Sequence, residues 1–509
     1  MKKLAVVLSR AEFGVAAPQV RVEVHISRGL PSLSIVGMPE TAVKESKDRV
    51  RAAIMNSGFE FPPHRITINL SPADIPKGGG RYDLPIALGV LAASEQIIPD
   101  RLEHTEFVGE LALGGQLRGI RGILPVVSAV SEANRRLVVP GSNTAEAALV
   151  QSCDCLAADT LHQVCEWLCG DRELSLMPHH PSSKKPVSLT NTRADISEVK
   201  GQEQAKRALI IAAAGGHNLL FYGPPGTGKT MLASRLPGIL PTLTETQSLE
   251  TAKVASISSN GFNPDCWGQP PFRAPHHTAS AAALVGGGSQ PMPGEISLAQ
   301  NGVLFLDELP EFSRHVLEVL REPLESGKIV ISRAARSAEF PARFQLLASL
   351  NPCPCGYLGD EDRPCQCSLG QIQHYRNKIS GPLLDRIDLQ VEVPRLPHKV
   401  LREANTTGLT SHQARKLVMR ARQIQIERNG GLTNAQLQGR QIEDLIPLTP
   451  ALLDFLEHVV ERLRLSARAY HRIIKVARTI ADLKQSSAVE QSHLSEAVAY
   501  RGFDRSDYG

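Results

Sequence analysis

Eight residues constrain this chain more than any others. GPPGTGKT, Gly223 to Thr230, stands between the apolar run Leu219 to Tyr222 and the helical run MLASRL. It fits G-x-x-x-x-G-K-[ST] in the strand-then-helix setting that the motif requires. Gly223, Pro224, Pro225, Gly226, Thr227 and Gly228 supply a loop whose backbone N–H groups can turn inward around phosphate oxygens, and the helix N-terminus adds its positive dipole end. Lys229 then reaches the β and γ phosphates, and the Thr230 hydroxyl ligates Mg²⁺. A strand, this loop and a helix require a parallel sheet covered on both faces. The sequence around the motif agrees, because NLLFY, VLFLDE, FQLLASLN and IDLQVEV alternate with helical stretches from residue 196 to 396.

The remaining chemistry lies downstream. GVLFLDELPEF ends a buried-looking strand in two carboxylates, of which Asp307 would hold the Mg²⁺ shell and Glu308 would orient the attacking water. RFQLLASLN ends in Asn351, an amide able to position that water, although an Asn at a strand end also serves as a turn residue. GPLLDRIDL holds Arg386 between two aspartates; it is either a finger that stabilises transition-state charge in trans or a local salt bridge to Asp385 or Asp388. ATP with Mg²⁺ is the expected substrate and cofactor.

With 509 residues the chain exceeds what one hydrophobic core serves, so two or three domains are expected. Residues 1–170 mix β-like runs (VRVEVHI, ITINL, RLVVP) with helical patterns, 171–195 read as an exposed Pro/Ser-rich linker, 196–396 carry the nucleotide motifs, and 397–509 are helical and the source of the positive excess. The net charge of +4 is too small to name a partner. The apolar run at the N-terminus is too short for an export signal and no stretch approaches a membrane span, so a cytoplasmic location and no membrane partner are expected.

Nine cysteines without an export signal favour reduced thiols or a metal over disulfides. Cys353, Cys355, Cys365 and Cys367 form C-x-C, nine residues, C-x-C, directly after Asn351. Four thiolates suit tetrahedral Zn²⁺, while the one-residue spacing is tighter than the usual knuckle, leaving four reduced thiols in a surface loop as the alternative. Cys153, Cys155, Cys165 and Cys169 have similar spacing but read as buried thiols around a short amphipathic helix, VCEWLC. His276 and His277 lack a third ligand at metal spacing and read as structural or subunit-interface residues.

In this order the motifs resemble an AAA+ ATPase of the magnesium-chelatase type, in the clade shared with the MCM helicases. Nearly the whole chain is similar to the ComM, or YifB-like, family, most specifically at VEVHISRGLPSLSIVGMPETAVKES, PADIPKGGGRYDLPIALG, FRAPHHTASAAALVGGG, PGEISLAQNGVLFLDELPEF and LSARAYHRIIKVARTIADL. The resemblance implies an α/β architecture of three parts: an N-terminal Lon-protease-like α+β domain (like domain 2 of ribosomal protein S5), a central AAA+ P-loop sheet and a C-terminal helical lid. It makes Asn351 sensor 1, Arg386 the arginine finger and Arg468 the sensor 2 arginine reaching γ-phosphate from the lid, with Arg472 one turn further as second choice.

Two insertions bear on output. A glycine-rich loop at 284–296 resembles the helix-2 insert of this clade, and GKIVISRAARSAEF resembles its pre-sensor hairpin. In related rings both point into a central channel, so Lys328, Arg333 and Arg336 are candidates for tracking a DNA backbone, against a solvated hairpin with ordinary surface charge. The N-terminal domain, by contrast, reads as catalytically dead. No Ser lies between Lys77 and Pro85, where Lon-type enzymes carry the nucleophile, the base-Lys position reads Leu124, and Arg118 and Arg121 stay protonated.

The family thus implies a homo-hexameric, ATP-driven DNA helicase that moves branch points in natural transformation, with DNA and recombination proteins as partners. A chaperone-like ATPase acting on a protein partner is the alternative, and a protease is disfavoured.

Overall fold

The computed structural model describes residues 4–176, 194–288, 291–333, 336–360, 363–397, 408–463 and 465–503. The greater part of the expected linker, 177–193, lies outside these residues.

The N-terminal region is a seven-stranded mixed sheet ordered Ser32–Val36, Arg65–Ser71, Gln19–Ser27, Leu4–Arg10, Thr105–Phe107, Arg136–Pro140 and Cys155–Ala158. The alternation in VRVEVHI buries Val20, Val22, Val24 and Ile26 beneath the apolar helix Asp83–Ala93. Arg10 and Glu106 form a buried two-pronged pair between adjacent strands, at 2.6 and 2.8 Å. Cys153 and Cys155 belong to one apolar cluster and Cys165 to another, so these thiols do not converge.

The central region is a five-stranded parallel sheet in the order Phe272–Arg273, Val303–Leu306, Gln345–Leu350, Leu219–Tyr222 and Leu389–Glu392. Its middle strands are apolar and buried on both faces, as a helix-covered parallel sheet requires. Register matters most here. Tyr222 pairs with Leu350 and Leu306 with Ala348, so the phosphate loop, the acidic pair and Asn351 all leave the sheet at its C-terminal edge. Ligands in open α/β sheets bind at that edge.

The C-terminal helices are well capped. Ser411–Arg428 starts on a Thr410/Gln413 capping box and Ala467–Leu483 on Ser466. With Pro450–Arg462 and Gln491–Ala499 they bury a shared apolar face with helix Glu203–Gly215 of the central region. A buried polar network supplements that packing. His217 bonds Thr479 at 2.7 Å, and its ring lies 3.6 Å from Asp388. Burial lowers the His217 pKa, whereas for Asp388 burial is outweighed by Arg472 and His217, which hold the carboxyl well below its usual range.

Helix Ile123–Glu132 of the N-terminal region packs on helix Glu245–Ser256 of the central region, where Gly122 N donates to Ser256 O at 3.1 Å. Leu124 is fully buried in that contact, in a cluster with Ala252. An apolar residue there serves the interface. No described helix is long and apolar enough to cross a membrane.

Candidate functional site

At the C-terminal edge of the central sheet, Gly223 leaves its strand at φ 152°, and a Cβ there would meet Val393 O at 2.3 Å, so only glycine permits the turn into the loop. Lys229, first in helix Lys229–Ile239, folds back over the loop. Its Nζ donates to Gly223 O at 2.7 Å, Pro224 O at 2.8 Å and Asn351 Oδ1 at 3.0 Å. The Lys229 ammonium and the sensor-position amide are thus already joined, with the ammonium satisfied by carbonyls that a polyphosphate would displace.

Thr230 Oγ1 donates to Asp307 Oδ2 at 2.7 Å. Ser349 fixes the other carboxylate oxygen through its hydroxyl, and the Glu308 N–H bonds both Asp307 Oδ1 (3.1 Å) and Ser349 Oγ (3.3 Å). A hydroxyl and a carboxylate oxygen at this spacing are the hard donors that Mg²⁺ prefers, so the residues present fit that ion. Glu308 itself adopts φ 53°, a left-handed conformation that costs a non-glycine residue about 1–3 kcal/mol. The two bonds to its N–H hold that turn, which leaves the Glu308 side chain half exposed.

Sequence reasoning missed two residues here. Ser349 lies inside an apolar strand and gives no motif signal. His277 reads as a structural or subunit-interface residue; its Nδ1 lies 3.7 Å from Glu308 Oε2, and its ring is tilted against that of His276 with centroids 4.1 Å apart. The adjacency of two histidines was the available signal; what they face depends on tertiary structure.

Arg386 and Arg468 lie elsewhere. Arg386 precedes the strand Leu389–Glu392, and its carbonyl accepts from Asn218 Nδ2 at 2.9 Å. Asn218 and Gly223 bracket the strand Leu219–Tyr222, so Arg386 and the phosphate loop are at opposite ends of the sheet, roughly 16 Å apart at about 3.3 Å per residue. The Arg386 guanidinium is nearly buried and paired with Glu325 and the Pro382 carbonyl. It does not pair with Asp385 or Asp388. Burial, together with repulsion from Arg468 and Arg321, lowers its pKa despite Glu325. Arg468 is exposed on the first turn of its helix, close enough to repel Arg386, while Ser466 bonds Asp385 at 3.2 Å. Arg472 is taken up by Asp388 and the Arg386 carbonyl. Neither Arg386 nor Arg468 therefore faces its own chain's phosphate loop.

The hairpin Lys328–Arg333 and Arg336–Pro341 is present. It buries Ile329, Ile331, Ala338 and Phe340, with Val15 of the N-terminal region packed on the same cluster. Lys328 pairs with Glu339 at 2.7 Å; both are exposed, so the pair is worth about 0.2–1 kcal/mol and can be exchanged for another anion. Arg333 and Arg336 stand opposite each other at the turn, and their side chains lie outside the described residues. The glycine-rich loop folds as a short antiparallel pair, Gly286–Gly287 with Met292–Pro293, behind an Arg273–Glu295 bridge at 2.6 and 2.7 Å. Residues 289–290 of that loop lie outside the described set.

Burial lowers the Lys229 pKa to about 8, against the attraction of Asp307 and Glu308. A bound polyphosphate requires the ammonium form, so above pH ~8 the free protein must first take up a proton. ATP affinity is then expected to fall about tenfold per pH unit up to the ordinary lysine range. Equilibrium binding between pH 7 and 10 checks this, and a flat profile would contradict it.

Comparison with known proteins gives concordant results. Residues 195–401 match the family described as magnesium chelatase, subunit ChlI; residues 22–143 match subunit ChlI of Mg-chelatase; residues 408–501 match the ChlI C-terminal family. The chain is 52% identical over 503 residues to competence protein ComM of Haemophilus influenzae, covering 99% of this chain and 98% of that one. It is 50% identical over 503 residues, with the same coverage, to YifB of Escherichia coli. A magnesium-chelatase 38 kDa subunit of Cereibacter sphaeroides is 27% identical over 221 residues, 40% of this chain and 59% of that protein.

Proposed function

This chain belongs to the magnesium-chelatase-like AAA+ family that includes ComM and YifB, and from that premise we propose that it is an ATP-hydrolysing ring motor acting on DNA. Its work is branch migration during the recombination of incoming DNA, the role that fits its similarity to a competence protein. One observation carries the catalytic part: Lys229, Thr230, Asp307, Glu308 and Asn351 converge at one sheet edge, and each already shares a hydrogen bond with another of the five.

In this reading Lys229 exchanges its carbonyl and Asn351 partners for phosphate oxygens. Asn351, released, points its amide at the water beside the γ-phosphate. Glu308 orients that water. Thr230 and Asp307 hold Mg²⁺, which when bound neutralises developing charge on the phosphates. Arg386 and Arg468, at the far end of the sheet, serve the neighbouring subunit's nucleotide, so a ring is needed to complete each site. A homo-hexamer is the size we propose.

The N-terminal domain is, in the same proposal, a Lon-like scaffold without peptidase activity. Leu124, buried against Ala252, supports this: the position of a catalytic base is spent on holding two domains together.

The DNA part rests on the hairpin, its Lys328 and the basic positions 333 and 336. ATPase rate measured with and without single-stranded and forked DNA at two salt concentrations tests it. Stimulation that fades at high salt is expected, because phosphate contacts release counterions. No stimulation and no salt-sensitive binding would turn the proposal to a motor that remodels a protein partner.

A further inference from the structure

The four central cysteines are not used by the ATP chemistry. They nevertheless meet at one point. Cys353 Sγ lies 3.4 Å from Cys355 Sγ and 3.6 Å from Cys365 Sγ, Cys355 and Cys365 are 3.6 Å apart, and all four sulfurs fall within 4.8 Å of one another. A zinc tetrahedron with Zn–S bonds of about 2.3 Å has S···S edges of about 3.8 Å. The separations match that edge and far exceed a disulfide bond of about 2.05 Å. The arms are shaped for the same end: Gly356 N bonds Cys353 O at 3.0 Å to close the first turn, and Cys367 N donates to Cys365 Sγ at 3.4 Å, as metal-bound sulfurs accept from backbone. Among the described residues this is the only such group of potential ligands.

The cluster also touches the nucleotide loop. Gly356, at φ 83°, lies so close to Pro225 that a Cβ would meet Pro225 Cδ at 2.7 Å. On its other side, helix Leu369–Arg376 follows the last cysteine at once, and its buried Tyr375 is hydrogen bonded to the Asn351 backbone. The segment that carries the sulfurs therefore starts at the residue that contacts Lys229 and abuts the phosphate loop at Pro225.

We propose that Cys353, Cys355, Cys365 and Cys367 bind one zinc ion through four thiolates, and that this centre pins the loop after Asn351 against the phosphate loop at Pro225. This goes beyond the DNA motor reading and stands if that reading fails. The full-length protein, purified under reducing conditions, is analysed for metal by mass spectrometry. About one zinc per chain is expected, released when a mercurial reagent titrates about four thiols. Cys353→Ser with Cys365→Ser removes the zinc, while Cys169→Ser in the N-terminal domain keeps it. Should the double variant fail to fold, zinc content and mercurial release of the unaltered protein still decide. Less than about a tenth of an equivalent, even after incubation with zinc chloride and desalting, would overturn the site. So would full zinc retention in a folded double variant. For the bracing role, a fluorescent ATP analogue is expected to bind several-fold more weakly after zinc release, and equal affinity with and without zinc would remove that role.

Discussion

A Glu308→Gln protein is expected to bind ATP as tightly as the parent and to hydrolyse it about 10²–10⁴-fold more slowly, the usual loss when a positioned base is removed. The geometry separates the two effects. Lys229 is joined to the loop, and Thr230 to Asp307, by bonds that do not involve the Glu308 carboxylate. That carboxylate is half exposed, and it pairs only loosely with a partly exposed His277 at 3.7 Å, so the neutral isostere leaves no buried charge unpaired. The left-handed backbone at 308 is held through its N–H, which the substitution keeps. Equilibrium binding of labelled ATP, read beside single-turnover hydrolysis, checks the separation. Hydrolysis within about twofold of the parent would remove Glu308 from the role of orienting water. Lost binding would place it in the Mg²⁺ shell instead.

How far the sequence reached depends on whether a contact is local. GPPGTGKT and LFLDE carry their chemistry in contiguous residues, and each leaves a strand at the same edge because parallel strands share a direction. Anything set by register or crossing was out of reach. That Ser349 braces Asp307, that His277 faces Glu308, and that Gly356 lies under Pro225 all join residues about 30 to 130 positions apart, with no pattern to announce them. The segment from Asn351 through the cysteines to Arg386 shows the same limit. It is continuous in sequence, yet the cysteines belong to the phosphate-loop edge and Arg386 to the opposite one. The lid arginines behave similarly: Arg472 shares a helix face with Arg468, but a buried Asp388 claims it.

The position of Arg386 leads to the second large effect. Arg386→Ala is expected to leave ATP binding unchanged and to cut steady-state hydrolysis about 10³-fold or more, the range of an arginine supplied to a phosphoryl transfer site. A purely structural role would predict something different. In the isolated chain the guanidinium pairs with Glu325, whose side chain is well exposed, so removing the arginine leaves an acid that water can solvate at little cost. Glu325→Ala breaks the same ion pair while keeping the arginine, and hydrolysis in that protein should persist. The decisive measurement is a mixture. Arg386→Ala and Glu308→Gln are each expected to hydrolyse ATP only slowly alone, but where an Arg386→Ala subunit receives the arginine of a Glu308→Gln neighbour, one complete site forms. Random 1:1 assembly of a symmetric ring makes about a quarter of the interfaces complete. Activity recovered to that order, and rising with the time allowed for subunit exchange, places Arg386 across the interface. A mixture no more active than its components, under conditions where exchange is seen by a fluorescent label, would return Arg386 to its pairing with Glu325 and leave the ring without its finger.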